Sequence, residues 1–78
     1  MMTKQEFFKE LEEVLEVDAG SITGDELLKD LPEWDSLAVL SFIAMVNEKL
    51  DVNLSADRLA KAKNVGDLIL LLGNKISG

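Results

Sequence analysis

A small all-α bundle, with three main helices, one short helix and a long loop between the first and second helices, follows from three features of the chain. Apolar residues recur at three- and four-residue spacings in separate stretches. A helix-start signal stands before each stretch, at Thr3, Asp35-Ser36, Ser55 and Asn64. Nothing alternates with period two, and no internal repeat is visible. With 78 residues, 47 % of them apolar, residues 1–78 make a single domain with one modest core, too apolar for disorder.

Thr3-Lys4-Gln5-Glu6 reads as a capping box, in which the Thr3 hydroxyl accepts from a first-turn amide and Glu6 reaches back to the cap amide. The first helix then sets Phe7, Phe8, Leu11, Val14 and Leu15 on one face, with Glu10, Glu12, Glu13 and Glu16 over much of the rest. Asp18-Ala19-Gly20-Ser21 is its expected end, with glycine taking the left-handed conformation. A long connection runs from Gly20 to Trp34, with Ile22, Leu27, Leu28 and Leu31 as apolar anchors and a helical turn or two expected between Asp25 and Asp30. Those anchors suggest a loop laid across the bundle.

The second helix is expected from Asp35 or Ser36 to about Leu50, with Val39, Phe42, Ile43, Val46 and Leu50 as its core stripe. Leu37, Ala38, Ser41, Ala44, Met45 and Glu48 fall elsewhere on its circumference, and no charge occurs between Leu37 and Asn47. A helix apolar nearly all round is either central or offers a greasy surface to a partner. Ser55 caps a short helix holding Ala56, Leu59 and Ala60. Asn64-Val65-Gly66-Asp67 opens the last helix, which carries Val65, Leu68, Ile69, Leu71, Leu72 and Ile76.

Composition removes most chemistry. Cysteine and histidine are absent, so no disulfide, thiolate nucleophile, zinc cluster or histidine base can be built; neither catalytic nor metal-binding residues are expected. The net charge of −7 disfavours nucleic acid. That charge is uneven: residues 1–35 hold eleven acids against three bases, whereas residues 36–78 hold four against five. An acidic half suits basic protein partners, or serves as a solvated face. No run approaches a membrane span and the N-terminus lacks a secretory pattern, so a cytoplasmic monomer without membrane insertion is the expectation.

Trp34-Asp35-Ser36-Leu37 lies where the acidic, turn-rich stretch meets the apolar helix. Asp and Ser are favoured helix caps, because their side-chain oxygens accept from unpaired amides. The same place suits a phosphate ester, since it lies at the positive end of the helix dipole beside free amides. Ser36 therefore reads as a cap, a modification site, or both.

Asp35-Ser36-Leu37 at the second helix, the extended first loop and the Val65-Gly66-Asp67-Leu68 entry to the last helix together resemble the acyl carrier protein family, over essentially the whole chain. The resemblance implies that Ser36 Oγ receives 4′-phosphopantetheine from coenzyme A through a separate phosphopantetheinyl transferase. It further implies that acyl groups ride on the arm as thioesters, shown in turn to acyl-loading and acyl-processing enzymes of a fatty-acid, lipid, polyketide or related pathway. By the same likeness Asp35 assists recognition by the transferase and Leu37 lies on the docking surface. Two alternatives are an aminoacyl or peptidyl carrier and an unmodified acidic helical adaptor.

The chain departs from the fatty-acid type of that family. Its second helix has Ala38, Ser41 and Asn47 where acids or polar residues are common, leaving Glu48 as the main charge, and Pro32-Glu33-Trp34 replaces a flexible approach to the serine. A specialised, stand-alone carrier is expected, docking more through apolar contact at Leu37, Ala44 and Met45 than through acid–base pairing. Trp34 is expected to pack on the core, with flanking of the prosthetic arm as the other reading.

Overall fold

The computed structural model describes residues 2–77. Its four helices are α1 (Lys4–Leu15), α2 (Ser36–Leu50), α3 (Ala56–Ala60) and α4 (Val65–Leu72), with short 3-10 turns at Leu28–Asp30 and Gly73–Lys75. The all-α bundle with its long first connection is therefore the observed architecture. Among the described residues the exception is a two-residue parallel pair, β1 (Met2–Thr3) and β2 (Ile76–Ser77), which joins the segment before α1 to the segment after α4. So short a ladder leaves no alternation to detect, and α4 stops at Leu72, so Ile76 belongs to β2 and not to the last helix.

The expected capping box at α1 forms, and a second one opens α4. Glu6 N–H donates to Thr3 Oγ1 at 3.1 Å while Thr3 N–H donates to Glu6 Oε1 at 2.9 Å. Donation to the Glu6 carboxylate, from the Thr3 backbone amide first and the Thr3 hydroxyl second, holds that carboxyl below its ordinary pKa. At α4, Asp67 N–H donates to Asn64 Oδ1 at 2.8 Å, and Asp67 Oδ2 accepts from the Lys63 and Asn64 amides. Ser55 caps α3 through the Arg58 amide.

Phe7, Leu11 and Leu15 of α1 meet Phe42, Val46 and Leu50 of α2, with Leu59, Val65, Leu68 and Leu72 closing the core. Phe42 is the junction. Phe7 stands edge-on to it at 6.0 Å between ring centres, and Trp34 does the same at 5.7 Å. Trp34 thus packs on the core, at an edge-to-face geometry worth about 0.5–1.5 kcal/mol beyond area burial.

Three details differ from the sequence expectation. First, α1 ends at Leu15, and its left-handed cap is Glu16 (φ 58°) rather than Gly20. The reason lies in the second detail, Glu12, which the helical pattern sets on the solvent face but which is only 6 % exposed. Its Oε2 accepts from Gly20 N–H at 2.9 Å and Ile22 N–H at 3.0 Å, so the chain must turn back early to reach it. Third, Ala38 and Met45 join the buried face of α2, because positions 38, 42, 45 and 46 form a broader face than the predicted stripe.

The first connection does lie across the bundle. Leu28 N–H donates to Lys63 O and Val65 N–H to Glu26 O, so the loop pairs with the entry to α4. Ile22 and Leu28 are buried anchors, whereas Leu27 is exposed. Gly24 sits at φ 112°, and a Cβ there would meet the Phe8 ring at 3.1 Å, so both conformation and space demand glycine.

Candidate functional site

Asp35 is the N-cap of α2. Its backbone is extended, its Oδ1 accepts from Ala38 N–H at 2.9 Å, and its carbonyl accepts from Val39 N–H at 2.9 Å. Ser36 is therefore the first helical residue and not the cap. It is exposed, and among the described residues no group hydrogen-bonds its Oγ. The capping duty that could have occupied the serine falls to its neighbour. First-turn amides of a helix lack intrahelical partners, so a phosphate ester at Ser36 would sit beside donors and at the positive dipole end.

The Asp35-Ser36-Leu37 ridge separates two grooves. One, of about 510 Å³, is lined by Trp34, Asp35, Ser36, Val39, Leu40 and Ala56. The other, of about 560 Å³, lies between α1 and α2, lined by Glu10, Glu13, Glu16, Glu33 and Asp35 together with the apolar Val14 and Leu37. The acids that α2 lacks are thus carried by α1 and the loop.

Leu37 is 71 % exposed, and Ala44 and Glu48 are exposed further along the same helix. Spacings of four, three and four residues place Leu37, Ser41, Ala44 and Glu48 on one face. Met45 is not on it: at 7 % exposure it packs in the core three residues from Phe42, and its expected docking role is withdrawn. Leu40, 63 % exposed and one turn beyond Ser36, was missed by the sequence reading. Its four-residue offset from the serine was the available signal.

An exposed, unpartnered hydroxyl at a helix start, with an apolar-sided groove beside it, suits a carrier domain bearing a phosphate-linked arm. Residues 5–72 match the family described as the phosphopantetheine attachment site, and the chain belongs to that family. The family's cofactor is 4′-phosphopantetheine, covalently attached. The chain is also similar to a solved structure of a presumed acyl carrier protein from Mycobacterium tuberculosis, at 27 % identity and a TM-score of 0.69. That alignment covers 85 % of this chain and 89 % of the other. No curated protein sequence matches. The protein is accordingly a carrier, of a family served by phosphopantetheinyl transferases and acting with enzymes in general. Among the described residues no helix is long and apolar enough to cross a membrane.

Proposed function

We propose that Ser36 is the attachment residue and that the protein, not itself a catalyst, is an acyl carrier for a dedicated lipid, polyketide or related pathway. The observation that carries this reading is the free, exposed Ser36 Oγ beside a cap supplied by Asp35. When bound, the arm supplies the terminal thiol that the cysteine-free chain lacks and holds acyl groups as thioesters.

The chain's own residues do the rest. Asp35 fixes the first turn of α2 and so aims Ser36 outward at the ridge. Leu37, Ser41, Ala44 and Glu48 present a mostly apolar face to the transferase and to partner enzymes, with the acid-rimmed groove of α1 alongside. Tethering raises the effective concentration of the cargo at each docked enzyme.

Intact mass tests the assignment. After incubation with coenzyme A and a broad-specificity transferase, wild type gains one phosphopantetheine increment and Ser36→Ala gains none. An increment retained by Ser36→Ala moves the site elsewhere. No increment with several competent transferases leaves the unmodified adaptor as the better reading.

A further inference from the structure

A third groove, of about 310 Å³, lies on the α3–α4 side of the molecule, lined by Arg58, Lys61, Ala62, Lys63, Asp67, Leu70 and Leu71. It shares no residue with either groove at Ser36. Its charge runs against that of the chain: three exposed cations gather here in a protein of net charge −7. No carboxylate among the described residues forms an ion pair with them. Among the described residues the ion pair formed is Lys49 with Glu10, and the one acid of the groove, Asp67, directs its carboxylate to the amides that open α4. Leu70 lines the same groove at 77 % exposure, the most exposed large apolar side chain among the described residues.

We propose that this α3–α4 face docks an acidic segment of another protein, one that sets carboxylates against Arg58, Lys61 and Lys63 and an apolar side chain against Leu70 and Leu71. Charge decides between the classes of occupant. Recruitment to anionic lipid draws on clusters of roughly four to eight basic residues, more than this face holds. The overall charge of −7 also opposes approach to a lipid or nucleic-acid polyanion, where the whole molecule meets an extended field. A short acidic segment meets the local patch, because screening confines the rest to within about 10 Å at ordinary salt. Since Ser36 lines a different groove, such a partner leaves the ridge open, and the carrier can be held by one protein while another works at the serine.

Nuclear magnetic resonance on the full-length, isotope-labelled protein tests this. The probe is a helical peptide with glutamates along one face and leucines at positions i and i+4. Amide shifts are expected at residues 58–71, reversed by added salt. Lys61→Glu combined with Lys63→Glu should raise the peptide Kd at least about tenfold, and Leu70→Ser should weaken it with every charge in place. All three side chains are exposed, so the variants keep the wild-type melting temperature. Three results with peptides overturn the proposal: no shifts at millimolar peptide, equal binding of a peptide with lysine in place of glutamate, or shifts centred on the groove of Glu10 and Glu13. Vesicles of equal phosphatidylserine and phosphatidylcholine should leave residues 58–71 unmoved; shifts there would assign the face to lipid instead. Failure of this test leaves the Ser36 assignment untouched, because that rests on the mass increment alone.

Discussion

From Glu16 to Asp35 the chain runs for about twenty residues with a single 3-10 turn, whereas α2 continues for 15 residues as unbroken helix. The two stretches adjoin at the candidate site and are held by different means. α2 is closed by a neighbour, Asp35 reaching the amide three residues on. The connection is closed by partners far along the chain: Glu12 to Gly20 and Ile22, and the Glu26–Leu28 backbone to Lys63 and Val65. The helix thus presents Ser36 by local capping. The loop that leads to it depends on the rest of the bundle having formed.

The largest way to break this contrast is at Glu12. Glu12→Ala removes the acceptor of two amides, one of them buried, and should cost about 1–3 kcal/mol. Glu12→Gln keeps an acceptor oxygen but gives up its charge, so the loss should be smaller. Chemical denaturation reads both, and hydrogen exchange at Gly20 and Ile22 should rise before exchange in the middle of α2. Equal loss of protection in both stretches would mean that the connection and helix form one unit.

How much could be read beforehand follows the same division. Thr3 with Glu6, Asn64 with Asp67 and Ser55 were legible as caps because donor and acceptor lie three residues apart. Ser36 was legible as a candidate for the same reason, though its contest with Asp35 for the cap needed coordinates. Glu12 was not legible: on the helical pattern it is one glutamate among four, and its partners lie eight and ten residues away. Nor was the acidic groove, since Glu10 and Glu33 become neighbours only when the loop folds back. Met45 was misplaced because one apolar stripe was assumed where α2 is covered on a wider arc.

A smaller effect separates Asp35 from Ser36. Asp35→Ala deletes the cap and should cost about 1 kcal/mol, whereas Ser36→Ala at the adjoining position should change stability by no more than about 0.5 kcal/mol. Modification should show the reverse order, with Ser36→Ala abolishing the mass increment and Asp35→Ala slowing its appearance. Thermal melts beside a time course of intact mass supply both readings. A destabilised Ser36→Ala would show that its hydroxyl shares the capping after all.

The smallest expected effect is a pH response confined to the connection. Burial tends to raise the pKa of Glu26, but donors to its carboxylate outweigh that and leave it lowered from 4.5. Those donors are the Thr23 amide at 2.8 Å, the Gly24 amide at 2.9 Å and the Thr23 hydroxyl at 2.9 Å. A carboxyl whose folded pKa lies below its unfolded one contributes stability that is fully present above the unfolded value and is lost as pH falls through the folded value. The turn from Thr23 to Glu26 should therefore hold at neutral pH and loosen on acidification below about 4.5, with the Val65 amide, which donates to Glu26 O, following it. Side-chain carboxyl shifts of Glu26, followed with the Thr23 and Gly24 amides, measure this directly. Glu26→Gln should remove the acid response of those two amides. A Glu26 midpoint at or above 4.5 would mean that burial governs this carboxyl, and that the backbone pairing with α4 holds the turn without it.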